Sequence, residues 1–77
     1  LNLVSIYKTY KESLKITGLQ PKKTAIKIFS IVGKEIISHI IYNKTQASVN
    51  IKNLSSGLYI VTVTNDAGTK SKKIIIE

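Results

Sequence analysis

The chain has no cysteine, methionine, tryptophan or arginine, only one proline and four glycines, and only four acidic residues. Each shortage excludes something. Without cysteine, neither a disulfide nor a thiolate-bound metal can staple a core that is marginal at 77 residues. The scarcity of proline and glycine argues against a disordered linker. No apolar run approaches the roughly 18 residues of a membrane helix; the longest are Ile74-Ile75-Ile76 and Leu58-Tyr59-Ile60-Val61. Leu1–Tyr7 is too short, and lacks the basic stretch, for a secretory signal peptide. A chain that opens on Leu1 and holds no methionine reads as a piece of a longer protein.

The acids Glu12, Glu35, Asp66 and Glu77 are scattered, and His39 is the one histidine. That set makes neither a zinc cluster nor a calcium loop. The glycines are too far apart for a phosphate-binding loop, and there is no G-x-S-x-G elbow. His39, Asp66 and one of eight serines satisfy only the loosest description of a triad. No catalytic, cofactor-binding or metal-binding residue is therefore expected, and the chain reads as a non-enzyme.

Twelve lysines against four acids leave a net charge of +8. The densest groups are Lys22-Lys23, Lys70/Lys72/Lys73 and Lys8/Lys11/Lys15. Nucleic acid is not the expected partner, because arginine supplies the bidentate base and phosphate contacts and is absent. The aromatic residues also form no stacking platform. A solvated lysine surface accounts for the charge, and anionic glycans or lipopolysaccharide are what it would attract.

Isoleucine, valine and threonine make up 26 of the 77 residues, which favours pleated sheet. Period-two alternation recurs, as in Ala47/Val49/Ile51 against Ser48/Asn50/Lys52. Turn signals separate the runs: Gly18-Leu19-Gln20-Pro21, Val32-Gly33-Lys34, Asn43–Gln46, Leu54–Gly57 and Asn65–Gly68. The last is expected to be a four-residue hairpin loop. Seven strands follow, near 3–7, 13–17, 24–30, 34–42, 47–52, 58–64 and 69–76. Their spacing predicts a small all-β fold, a seven-stranded antiparallel immunoglobulin-like β-sandwich forming a single domain over 1–77.

Leu54, Gly57 and Tyr59 form an L-x-x-G-x-Y pattern at the entry to a strand, where a buried tyrosine can return its hydroxyl to nearby backbone. The chain closes on Lys72-Lys73-Ile74-Ile75-Ile76-Glu77. An uncharged run of three isoleucines is an aggregation hazard if exposed, and the lysines beside it act as gatekeepers. Such a strand is also suited to pairing with a receptor through its edge.

Three segments together resemble a known family. They are Ile26–Ile36 with its Gly33-Lys34-Glu35-Ile36 turn, Val49–Val63 with Leu54-Ser55-Ser56-Gly57-Leu58-Tyr59, and Gly68–Ile76 ending in Lys72-Lys73-Ile74-Ile75. The chain, over 3–77, is similar to the type A C-terminal sorting domain of the type IX secretion system of Bacteroidota. It departs from that family near its start. Ile6-Tyr7 is followed by Lys8-Thr9-Tyr10-Lys11, without the prolines of the family's Tyr-Pro-Asn-Pro motif.

The resemblance implies a secretion address at the tail of a longer secreted cargo, which passes through the periplasm to the cell surface or beyond. Its implied partners are an outer-membrane translocon, a β-barrel shuttle protein, a sortase-like surface protease and anionic lipopolysaccharide. Lys72, Lys73, Ile74, Ile75, Ile76 and Glu77 would face that machinery, and Gly33, Leu54, Gly57, Tyr59 and Gly68 would hold the fold. The alternative is a small extracellular module for glycan binding, adhesion or spacing, with Tyr7, Tyr10 and Tyr42 as the available rings.

Overall fold

A computed structural model describes residues 1, 3–9 and 12–77. Its strands are β1 (Ser5–Thr9), β2 (Ser13–Thr17), β3 (Thr24–Ser30), β4 (Glu35–Ile41), β5 (Gln46–Asn50), β6 (Gly57–Asn65) and β7 (Gly68–Ile76). They form two antiparallel sheets, ordered β1-β2-β5 and β4-β3-β6-β7. The strands expected from periodicity lie within two residues of these at either end.

The shifts have local causes. β1 starts late because Val4 N–H turns back to Leu1 O at 3.2 Å. β5 ends early because Lys52 N–H is taken by Asn50 Oδ1 (2.9 Å) and Leu54 N–H by Ile51 O (3.1 Å). The Asn65–Gly68 segment is tighter than expected. Asn65 pairs directly with Gly68, so the loop is only Asp66-Ala67. The Asn65 side chain makes this possible, accepting Ala67 N–H at 2.7 Å and acting as a short-range turn brace.

Alternation places the core. Leu14 and Ile16 from β2, Ile26 and Ile28 from β3, and Val61 and Val63 from β6 have no exposed surface. Val4, Ile6, Leu19, Val49, Ile51, Tyr59 and Ile74 complete the cluster. β1 lies alongside β7 across the sandwich. With that edge aligned, β2 faces β6, β5 faces β3, and β4 has no strand opposite. Its core-side residues show this: Ile37 and Ile41 are only half-buried and His39 is exposed. Turn chemistry fixes the β3–β4 hairpin, where Gly33 takes φ +88° and donates to Ser30 O at 2.9 Å.

Gly18 carries a different constraint. Its φ is +77°, and a Cβ there would stand 2.0 Å from the Leu3 carbonyl oxygen. Backbone, unlike a flexible side-chain tip, cannot yield cheaply. Gly18→Ala is expected to destabilise the fold by about 1–3 kcal/mol, from strain at a positive φ and the forced shift of residues 3–4. Ile28→Ala is expected to cost about 2–5 kcal/mol. Urea denaturation of the two variants checks both values.

Candidate functional site: the closing strand

β7 is an edge strand, paired with β6 alone. Directly opposed residues share a face. Val63↔Lys70, Val61↔Lys72, Tyr59↔Ile74 and Gly57↔Ile76 therefore put Lys70, Lys72, Ile74 and Ile76 on the core side. Leu58↔Ile75, Ile60↔Lys73 and Thr62↔Ser71 put Ser71, Lys73 and Ile75 on the outer side. The six closing residues thus do not present one surface. Ile74 is 6% exposed and Ile76 is half-buried against the core, whereas Ile75 is 62% exposed.

The two core-side lysines end on backbone of the other sheet. Lys72 Nζ donates to Ile6 O at 2.6 Å and Lys70 Nζ to Val4 O at 2.5 Å. In return Lys8 Nζ, from β1, donates to Ile75 O at 2.5 Å. Contacts advance in the same direction along both strands, so β1 and β7 run parallel across a seam too wide for backbone pairing. Lysine stems span it and their ammoniums occupy open-edge carbonyls. Lys72 is thereby tied into the fold, while Lys73 stands exposed on the outer face.

A hairpin closed by a two-residue loop makes Asn65–Gly68 a hydrogen-bonded pair, and alternate pairs follow. Thr69, Ser71, Lys73 and Ile75 consequently aim their N–H and C=O groups at the open edge. The acceptor role of Ile75 O toward Lys8 agrees with this phase.

The outer face beside Ile75 holds residues that sequence reasoning did not single out. Leu58, Ile60 and Phe29 lie in register there, through Leu58↔Ile75 and Phe29↔Ile60, and all three are half-buried. A signal existed. Leu58-Tyr59-Ile60-Val61 is apolar on both parities, the pattern of a strand covered on both faces. At the end of the seam, Lys8, Glu12, Lys52, Leu54, Ile76 and Glu77 line an open cleft of about 400 Å³.

Behind the strand, the Tyr59 ring is 8% exposed and its hydroxyl donates to Ser55 O at 2.8 Å. Leu54 packs on the same core, and Gly57 and Gly68 are the first residues of β6 and β7. The tyrosines considered for a sugar site do not converge. Tyr7 is on β1 and Tyr42 follows β4, in different sheets, and Tyr10 lies outside the described residues. His39 is on β4, whereas Asp66 is in the β6–β7 turn and ion-paired with Lys22 at 3.0 Å.

Comparison with known proteins decides what this strand belongs to. The sequence pattern of the secretion system C-terminal sorting domain matches residues 10–77. The chain belongs to that family. It is a sorting signal of the type IX secretion system, directing export toward the cell surface or extracellular space through that system's machinery. The sorting domain is also similar in fold to a solved structure, a DUF3244 family protein from Bacteroides vulgatus with an immunoglobulin-like β-sandwich. The TM-score is 0.85 at 14% identity, over 97% of this chain and 84% of that one. No curated protein matches the sequence.

Three variants test the support behind the strand, the first two by thermal melting and the third by hydrogen exchange. Tyr59→Phe keeps the ring and loses the hydrogen bond to Ser55, for an expected cost of about 1 kcal/mol. Tyr59→Ala empties the site and should cost about 3–5 kcal/mol. Lys72→Met retains the stem but frees Ile6 O. Hydrogen exchange in β1 is then expected to quicken while that of β3 is unchanged.

Proposed function

We propose that the sorting domain closes a longer secreted cargo protein and is read at β7 during passage from the periplasm across the outer membrane. The readers are the translocon, the β-barrel shuttle and the surface protease, which releases the cargo or joins it to anionic lipopolysaccharide. One observation carries this reading. The final residues combine an exposed Ile75 and Lys73, a strand edge without a backbone partner among the described residues, and a backing of buried Ile74 and Tyr59 with half-buried Ile76. Main-chain pairing along such an edge gives affinity that tolerates sequence change, and the outward side chains give specificity.

The six closing residues divide the work. Lys73, Ile75 and Glu77 meet the receptor, with Leu58, Ile60 and Phe29 as an apolar floor beside them. Lys72, Ile74 and Ile76 hold the strand at a fixed height above the core.

The test is export of a periplasmically targeted reporter fused to the domain. Deleting Lys73–Glu77 is expected to trap the reporter in the periplasm. Ile75→Lys is expected to reduce surface delivery at least tenfold while leaving the thermal midpoint of the isolated domain within a few degrees. Normal delivery by both variants would exclude the closing strand as the element that is read.

A further inference from the structure

Four strands lie at sheet edges: β1, β7, β5 and β4. An open edge is a template for another chain unless something blocks it. β1 and β7 are blocked by one another, since lysine ammoniums occupy Val4 O, Ile6 O and Ile75 O. β5 is only five residues long and shows polar Gln46, Ser48 and Asn50 outward. β4 has neither the lysine block nor the shortness, and its one irregularity is a bulge near its start, opposite Ile28 and Phe29. The strand is seven residues long, with no lysine between Lys34 and Lys44 and no proline. Ile36 is 40% and Ile40 53% exposed.

Apolar surface is concentrated there. Among the described residues, five of the eight large apolar side chains left exposed, Ile31, Val32, Ile36, Ile40 and Tyr42, lie on β4 or the residues flanking it. The hydrogen-bond phase set by the β6–β7 hairpin carries across the sheet. Even-numbered residues of β6 pair with β3, and even-numbered residues of β3 pair with β4. Ile37, His39 and Ile41 therefore bond to β3, while Ser38 and Ile40 aim N–H and C=O into solvent. Ser30 N–H donating to Lys34 O at 2.8 Å fits this phase.

We propose that β4 pairs antiparallel with β4 of a second copy of this chain, about a twofold axis at Ser38. This goes beyond the export reading and uses the edge of the sheet opposite to β7. Centring on Ser38 overlaps the whole strand. It sets Ser38 opposite Ser38 of the partner subunit and Ile36 opposite Ile40 of the partner subunit. The Ser38 pair is hydrogen-bonded in the phase just derived, and Ile40 brings its free N–H and C=O to Ile36 of the partner subunit, which lies where the β3–β4 register shifts by a bulge. The sequence is self-complementary here, with isoleucine two positions either side of Ser38. Charge favours the same edge: molecules each carrying +8 meet along a strand in which neither presents a lysine. The two four-stranded sheets become one of eight strands, with the β7 edges at its ends, each still bridged to β1 of its own copy.

Sedimentation equilibrium of the 77-residue chain is the test. A reversible dimer is expected. Ser38→Pro removes an N–H that points to solvent in the monomer, where an edge strand tolerates proline. Ile40→Lys places a charge on an exposed outer-face position. Each should weaken association at least tenfold while cooperative thermal unfolding persists, and Ile75→Lys should leave it unchanged. Ser38→Cys should cross-link to its own copy on oxidation, because a hydrogen-bonded antiparallel pair has Cα atoms about 5.5 Å apart, within disulfide reach. Ser48→Cys, on β5, should not. Three results would overturn the proposal: a chain still monomeric at about 1 mM, a dimer of equal strength in Ser38→Pro and Ile40→Lys, or one abolished by Ile75→Lys. A monomer is also what a strand from a different protein on β4 would give.

Discussion

The phase of the β6–β7 hairpin governs what the closing residues can do. A strand has period two, so sliding β7 by one residue would exchange every side chain between core and solvent. Ile75 would go inside and Ile74 and Ile76 outside; Lys70 and Lys72 would lose Val4 O and Ile6 O. The phase is held at both ends. At the turn, Asn65 Oδ1 takes Ala67 N–H and a two-residue loop admits no slack. At the far end, Tyr59, buried and bonded to Ser55 O, sits directly across from Ile74. The brace carries a cost, since Asn65 Nδ2 is buried without a partner in the described structure.

The same phase explains why the lysines at the end of the chain have unequal roles. Lys70 and Lys72 point toward the other sheet, which is unusual for cations, yet each ammonium reaches a carbonyl. This is edge protection by inward-pointing charge. Lysine suits it better than arginine would. Each acceptor is a single backbone oxygen at the end of a long reach, and a guanidinium fork would need several acceptors to satisfy its donors. A surplus of lysine with no arginine is thus partly structural. It closes one side of a small sandwich that has no cysteine for a disulfide and, among the described residues, no further strand at that edge.

Much of this was legible in the sequence. Fold class and strand boundaries followed from β-branched content, alternation and the glycine- and asparagine-marked turns, because those signals are local and period two is unambiguous in runs such as Ala47–Ile51. The corner around Leu54, Gly57 and Tyr59 was legible for the same reason. The division of the closing six residues was not. Ile74-Ile75-Ile76 has no alternation of its own, so which isoleucine faces the core depends on the partner strand and the loop length. The contacts of Lys70 and Lys72 with Val4 and Ile6 span 66 residues of sequence and leave no periodic trace. The exposure of β4 was hidden too. Glu35–Ile41 is rich in isoleucine, but the opposite sheet stops at β5, one strand short.

That shortfall gives the sandwich two unlike sides. Where β1 meets β7, both sheets end together and three lysines bridge the ends. Where β4 overhangs β5, isoleucines meet water on both faces of an unblocked strand. Apolar exposure of this kind is costly in a chain whose core is small, because each half-covered isoleucine returns less to stability than a buried one. The composition could have moved lysine to β4 as it did to β7. It did not, and the cations of the 31–45 region sit only at Lys34 and Lys44, beyond the ends of the strand. On the proposed reading, β7 is the edge bound in transit, and it must not pair prematurely. Blocking the β1–β7 seam with ammonium contacts while leaving the opposite edge apolar would keep the two proposed associations at separate ends of one sheet.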